Sequence, residues 1–509
     1  MKGLMFPATA EPLTPVSFLR RSATVFPERL AIVDGETRLS YRDMYDRVRR
    51  QAGMLRALSV KPGDRVAVLA PNARMLLEAH YGVPMAGAVL VALNTRLTVA
   101  ELAYIVEHSG ASVLLYDESL GDVAANLDVQ EKVSHLEYEQ RLAEADLYET
   151  AVTDELELLS LNYTSGTTGR PKGVMYHHRG AYLQALAMAY HARLETTTVY
   201  LWTLPMFHCN GWSFTWAVTA GGGTHVCLPK VDPARIWQLI DDEGVNSLNA
   251  APTVLIDLTA HPSAHPLEHR VAVGTGGAPP APALLAQLRT LGFEVTHLYG
   301  LTETFGPSVI SEFPPELEGC SVEEEARFKA RQGNANIIGT PVRVVGENGH
   351  DVPSDAQTVG EVVVHGNNVA LGYYRDSAAT EESFGSGWFR TGDLGVMHPD
   401  QYVELRDRAK DIIISGGENI ASIEVEQVLA SHPAVLEVAV VAAPHERWGE
   451  VPHAFVTLAE GAEATEEGLI AFVRERLPGF KTPKRVTFGV LPKTATGKIQ
   501  KYLLRDTSE

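Results

Sequence analysis

Tyr163-Thr-Ser-Gly-Thr-Thr-Gly-Arg-Pro-Lys-Gly173 decides how the rest of the chain is read. It follows an apolar run, Leu156 to Asn162, that reads as a buried strand, and it precedes a helical pattern from about Arg179 onward. Gly166 and Gly169 let the backbone turn its N–H groups towards an anion, and Thr164, Ser165 and Thr167 offer hydroxyls to phosphate oxygens. Lys172 adds a positive charge at the exit of the loop. A Walker A loop is excluded. That motif runs Gly-Lys-Ser/Thr straight into a helix, whereas Pro171 here precedes Lys172 and disfavours a helical Arg170. The competing reading, a flexible Ser/Thr/Gly linker, fits poorly with a strand placed directly before it.

Upstream of this loop the pattern alternates: strand Arg65–Leu69, helix Arg74–Ala86, strand Ala88–Leu93, helix Thr98–His108, strand Ala111–Tyr116. Downstream come helix Ala181–Ala192, strands Tyr200–Leu204 and Thr224–Leu228, helix Pro233–Glu243 and strand Ser247–Ala250. Such alternation predicts parallel sheets covered on both faces, which bind ligands at the C-terminal ends of their strands. Residues 338–403 change to short β-rich runs punctuated by Gly, Asn, Asp and Pro, an antiparallel lobe. After Lys410 comes a compact α+β segment of domain size. The predicted fold is α/β. A large N-terminal domain (1–409) has doubly covered, mainly parallel sheets and a small β-rich lobe, and a small mobile α+β domain (410–509) follows.

The 509 residues exceed one ordinary core, and 63 acidic against 43 basic residues give a formal charge of −20. That charge disfavours a general affinity for nucleic acid or anionic membrane. Cys209, Cys227 and Cys320 are widely spaced, without a metal-ligand pattern or a disulfide framework. The apolar run Val83–Leu93 is too short to span a bilayer, the N-terminus lacks a signal-peptide core, and Asp506-Thr-Ser-Glu509 is not a peroxisomal address. A cytoplasmic location is expected.

Four further segments carry chemistry. In Tyr299-Gly-Leu-Thr-Glu-Thr304 a Tyr can stack on a nucleobase, a Thr can bond a phosphate and a carboxylate can hold Mg²⁺ against phosphate oxygens; alone, the hexapeptide reads more readily as an ordinary turn. In Gly387-Trp-Phe-Arg-Thr-Gly-Asp-Leu394 a carboxylate after a tight turn suits two ribose hydroxyls, or marks a surface turn. In residues 404–420 a charged linker leads to three Ile and a Gly pair. In Leu491-Pro-Lys-Thr-Ala-Thr-Gly-Lys498 a Lys follows a Gly in a Thr-rich turn. No Gly-x-Ser-x-Gly elbow and no His-Glu-x-x-His or Cys-x-x-Cys metal site is present, and adjacent His177 and His178 diverge on a helix.

Together with Tyr163–Gly173, and in this order, these segments resemble the adenylate-forming superfamily: acyl-CoA ligases, luciferases and peptide-synthetase adenylation domains. The resemblance runs from about Thr14 to Arg505. It implies that ATP is held by Thr164, Ser165, Gly166, Thr167, Thr168, Gly169 and Lys172, with Gly276, Gly277 and Ala278 lining adenine and the acyl pocket. It implies Tyr299 and Gly300 beside adenine, Thr302 on the α-phosphate, Glu303 with Thr164 on Mg²⁺, and Asp393 with Arg408 on the ribose. Lys410 would be the hinge, Gly416 and Gly417 the passage for pantetheine, and Lys498 the catalytic lysine.

His208 would gate the carboxylate site. Gly276 and Gly300 would share the acyl pocket with Trp212, whose bulk favours short chains unless it is a core residue on the far side. Cofactors would be ATP, Mg²⁺ and coenzyme A, the last because the sequence ends 11 residues beyond Lys498 without room for a carrier domain. The expected activity is AMP-forming ligation of a short- to medium-chain acid to coenzyme A by a homodimer. Alternatives are an aryl-CoA ligase, a free-standing loader of a carrier protein and, in a different class, a silent nucleotide sensor.

Overall fold

A computed structural model describes residues 9–164, 170–277, 280, 282–317, 319–408, 411–416, 418–459, 461–493 and 499–506. Two large sheets face each other across shared helices. The first has six strands in the order Glu131–Ser134, Ala111–Tyr116, Arg65–Leu69, Val89–Ala92, Leu158–Thr164, Lys172–His177. All its pairings are parallel except the last, an antiparallel hairpin. The second has nine strands. Six central ones, from Leu30–Asp34 to Phe293–Leu301, are mutually parallel, and antiparallel strands close both edges.

One apolar cluster joins the two sheets. It contains Ile32 and Tyr200 of one, Val66, Leu90 and Leu159 of the other, and the helices between them. The helix Arg74–Met85 is buried on every side from Met75 onward, which explains its apolar, one-faceless sequence. The helix Val99–Ser109 begins with a capping box, Thr98 accepting from the Glu101 N–H while Glu101 accepts from Thr98; this fixes where Tyr104 and His108 emerge.

The β-rich lobe is a four-stranded antiparallel sheet, Arg343–Val345, Gly360–Val364, Phe389–Met397 and Val403–Arg408. The smaller C-terminal domain has a five-stranded sheet with its own core around Ile413, Val425, Val440, Val456 and Val473. The α/β class with a larger and a smaller domain is therefore as read from the sequence. Among the strands additional to that reading, Lys172–His177 follows the phosphate loop before the helix His178–His191 begins. Its alternation is weak, and both ends carry polar residues. Pairing of Thr164 with Lys172 turns residues 165–171 into a hairpin tip.

Candidate active site

The strand Phe293–Leu301 carries Tyr299 and Gly300 into a short 3₁₀ turn, Thr302–Thr304, and the chain returns antiparallel as Gly306–Ile310. At Gly300 a Cβ would stand 2.0 Å from the Gly306 carbonyl oxygen, so only glycine fits. The Tyr299 ring is buried beside Val309, Val342 and Val362, and its hydroxyl donates to Asp393 Oδ2 at 2.7 Å. Arg408 Nε lies 3.1 Å from Asp393 Oδ1, and the two residues face each other in the ladder. Asp393 is 5% exposed. The carboxylate is thus held on both oxygens from one side. The role of Tyr299 visible in the fold is to orient Asp393, a link that stacking arguments from sequence miss.

Glu303 sits in the 3₁₀ turn, half-buried, and Tyr373 donates to its Oε1 at 2.8 Å. Burial raises the carboxyl above its ordinary pKa; the Tyr373 hydroxyl and the charges of Arg408 and Lys172 oppose that shift. Among the described residues no ion pair holds Glu303. A partly desolvated carboxylate without a cationic partner fits a hard, oxygen-seeking cation such as Mg²⁺. Lys172 Nζ lies over the Tyr373 ring, 4.7 Å from its centroid. Tyr373 therefore touches both Glu303 and Lys172. No motif flags it, although it stands in the Gly372-Tyr-Tyr374 turn that pairs with Val174 of the hairpin.

The segment after His208 has an unusual backbone. Cys209, Asn210, Gly211, Trp212 and Ser213 all have positive φ, between 49° and 65°. Left-handed conformation costs roughly 1–2 kcal/mol per residue outside glycine. Packing holds the turn: Gly211 lies against Trp202, Asn210 Nδ2 donates to Ser160 Oγ at 3.1 Å, and Thr215 Oγ1 donates to the Asn210 carbonyl at 3.0 Å. The result aims three side chains. His208 stands before the turn. The Cys209 thiol lies 3.7 Å from His208 Nε2 and 3.5 Å from Thr302 Oγ1. The Trp212 indole packs between two glycines. A Cβ at Gly276 would meet its ring at 3.2 Å, and one at Gly306 would meet its Cα at 3.1 Å.

Trp212 thus faces the end of the strand Val271–Gly276 and the turn carrying Thr302, not the far side of its own segment. Cys209 is a contact that no sequence motif marks. Burial pushes its thiol up to about 12, so it acts as a neutral packing group.

Thr164 and Gly277 stand at the rim of these elements, while Ser165, Gly166, Thr167, Thr168, Gly169, Ala278, Lys410, Gly417 and Lys498 lie outside the described residues. Gly416 has φ 61°, and the face where its Cβ would stand is covered by the Trp448 indole at 2.7 Å. The space that glycine leaves there is filled by a side chain, a difference from the open passage expected. Next to the linker, Asp407 accepts from the backbone N–H of Ser422, tying the lobe to the first helix of the small domain. His177 and His178 bind no common partner: His178 Nδ1 meets Thr14 Oγ1, and His177 Nδ1 accepts from Gly180. Asn162, which with Tyr163 and Thr164 spells an N-glycosylation sequence, is buried within a strand and its amide donates to Ser160 Oγ.

The AMP-binding enzyme family matches residues 19–374, and the AMP-binding enzyme C-terminal domain matches 424–498. A peroxisomal acetate/butyrate–CoA ligase of Arabidopsis thaliana is 42% identical over 98% of this chain and 95% of its own. An acetate–CoA ligase of Humulus lupulus is 44% identical, covering 97% and 94%. The o-succinylbenzoate coenzyme A synthetase of Bacillus subtilis, solved with ATP and a magnesium ion, superposes with a TM-score of 0.84 at 30% identity, covering 96% of this chain and 98% of that one.

The chain belongs to the AMP-binding enzyme family of adenylate-forming proteins. Its activity is that of an AMP-forming acid–thiol ligase, an acyl-CoA synthetase that uses ATP and coenzyme A. No helix among the described residues is long and apolar enough to cross a membrane.

Proposed function

We propose that the acid is a short- to medium-chain monocarboxylate, in the acetate-to-butyrate range, and that Trp212 sets its length. The observation carrying this reading is the indole wedged between Gly276 and Gly306, in the same turn as Cys209, whose thiol meets Thr302 and His208. Relatives that act on acetate and butyrate support it. Initial rates of pyrophosphate release across acids from acetate to decanoate, plus benzoate, test it. Trp212→Gly spares the backbone, because glycine accepts φ 56° without strain. The variant should gain about tenfold or more in kcat/KM for hexanoate relative to butyrate. An unchanged chain-length profile would remove Trp212 from the pocket wall and leave a benzoate-type or carrier-loading activity to be judged by the same panel with and without coenzyme A.

In the first half-reaction the acid carboxylate attacks the α-phosphorus, and pyrophosphate leaves. Nucleophile and electrophile are both anionic, so positioning and charge neutralisation carry the catalysis. Thr302 would bond the α-phosphate, His208 would face the carboxylate, Asp393 and Arg408 would hold the ribose, and Lys172 and Lys498 would neutralise phosphate charge. Tyr299, Gly300 and Gly276–Ala278 would line adenine, and Ser165–Gly169 would wrap the phosphates. Mg²⁺, when bound at Glu303 and Thr164, supplies further neutralisation at the phosphate oxygens. In the second half-reaction the coenzyme A thiol attacks the anhydride carbonyl and AMP departs.

The small domain would serve both halves, first through Lys498 and then, once the Trp448 indole that covers Gly416 has moved aside, by passing pantetheine along Gly416 and Gly417. We place the domain boundary at 409/410, with Lys410 as the hinge. Lys410→Pro should leave ATP–pyrophosphate exchange within about twofold and lower thioester formation by about tenfold or more; equal loss of both would refute the hinge.

Two coarser readings accompany this one. The three cysteines are free, two of them buried, which suits a reducing, cytoplasmic setting. The plant relatives named peroxisomal make organelle fractionation the deciding test. A homodimer is the assembly we favour by family resemblance, with light scattering as the check on twice 55.3 kDa.

A further inference from the structure

We propose that Lys501 is a positioning residue for the ligase reaction: it couples the C-terminal helix, which begins shortly after Lys498, to Asp407 on the last strand of the β-rich lobe. The proposal rests on the ligase reading above.

Leu504 of the helix Lys501–Asp506, with Ile499 just before it, packs on Ala439, Val441 and Phe455 of the small domain. That apolar contact keeps the helix on its own domain. Lys501 does something else. Its side chain is only 16% exposed, and its Nζ lies 2.6 Å from Ser422 Oγ and 2.7 Å from Glu426 Oε1. An ammonium moved this far out of water keeps its charge only where carboxylates face it. Burial alone would lower its pKa; the charges of Glu426, Asp407 and Asp411 outweigh that and hold the group above its ordinary value.

Asp407 is the partner across the domain boundary. It is 3% exposed and forms no ion pair among the described residues. Its oxygens accept from two backbone N–H groups, Arg408 on Oδ1 at 2.8 Å and Ser422 on Oδ2. The Arg408 guanidinium is turned to Asp393 instead. Ser422 therefore carries both links: its N–H holds the carboxylate of the lobe and its hydroxyl accepts from Lys501. Beyond Lys410 in sequence, Asp411 pairs with Arg505 of the same terminal helix. Two carboxylates that bracket Lys410 are thus tied to two cations spaced i,i+4, which stand on one helix face.

The same helix is joined closely to the segment that contains Lys498. Lys493 and Ile499 form an antiparallel bridge, and the Gln500 N–H donates to the Pro492 carbonyl at 2.8 Å. A shift of the helix against the lobe therefore reaches the segment between Lys493 and Ile499 directly. Misplacing a charge by about 1 Å can cost on the order of 10²-fold in rate. Acyl-adenylate formation, which uses Lys498 in the reading above, depends on this register. Transfer to coenzyme A from a preformed adenylate does not use that lysine.

Lys501→Met in the full chain tests the coupling through the two half-reactions measured separately. The kcat of acid-dependent ATP–pyrophosphate exchange should fall about tenfold or more, with the KM for ATP within about twofold and thioester formation from preformed acyl-adenylate within about threefold. Lys501→Arg, which keeps the charge, should recover part of the exchange rate. Asp407→Asn retains an acceptor for the Ser422 N–H and should slow exchange by about threefold or more. Combined with Lys501→Met it should slow exchange no further than Lys501→Met alone, because the two residues act as one unit. Equal loss in both half-reactions, or effects of the two substitutions that simply multiply, overturns the proposal. Should Lys501→Met fail to fold, Asp407→Asn decides alone: loss confined to exchange upholds the coupling and equal loss refutes it. If the unaltered protein shows no exchange with any acid, the ligase reading fails instead, and the same double-variant comparison made on thermal unfolding still decides whether Lys501 and Asp407 are coupled.

Discussion

Replacing Asp393 with Ala should raise the KM for ATP by on the order of 10²-fold, because two charge-assisted hydrogen bonds to the ribose would be lost. The same change removes the acceptor of the Tyr299 hydroxyl and the partner of Arg408. A buried hydroxyl left without a partner costs about 1–3 kcal/mol, so the melting temperature should fall as well. Asp393→Asn separates the two effects. Its amide oxygen can still accept from Tyr299, which restores most of the stability, yet the charge opposite Arg408 is gone. Tyr299→Phe should raise the KM for ATP less than about tenfold, since Arg408 still orients the carboxylate. A normal KM for ATP in folded Asp393→Ala would take the ribose away from this residue.

Glu303→Gln is expected to slow ATP–pyrophosphate exchange by about 10²–10³-fold, the size of one well-placed electrostatic contact in the transition state. The substitution keeps the size of the side chain and its contact with Tyr373, and removes only the charge. Thioester formation from preformed acyl-adenylate and coenzyme A requires no phosphoryl transfer and should fall by no more than about threefold. The contrast between the halves is the diagnostic feature. A second readout is direct: Mn²⁺ titrated in the presence of ATP and followed by its magnetic resonance signal should bind more weakly to the variant. Equal loss in both half-reactions with unchanged metal affinity would show that Glu303 supports the fold and not the phosphoryl step.

Much of this architecture is legible in the amino-acid sequence. The strands Arg65–Leu69, Ala111–Tyr116 and Ser247–Ala250 have the same bounds in the sequence pattern and in the fold, because buried parallel strands are short apolar runs between punctuating polar residues. Asp393 and Arg408 belong to separate motifs, and the ladder brings them opposite each other. What stays hidden depends on tertiary neighbours. The strand Lys172–His177 owes its existence to the partner it pairs with, its own alternation being weak. Tyr373, His108 and Cys209 lie outside every motif and meet the motif residues Glu303, Tyr163 and Thr302 only when the hairpin, the helix Val99–Ser109 and the 3₁₀ turn converge. The turn at 209–213 offers a single glycine as a hint, and four of its five residues prefer the opposite backbone hand.

Under the role proposed for Trp212, that turn ties selectivity to assembly. A segment in which four of five residues are locally disfavoured has no shape of its own in a partly folded chain, so the wall it would present to the acid appears only after both large sheets have closed around Trp202, Ser160 and Phe305. The discriminating surface is therefore the last part of the molecule to mature and the first to lose definition when the two sheets loosen. Sequence changes far from the substrate, anywhere along the seam between those sheets, have a route to the choice of acid.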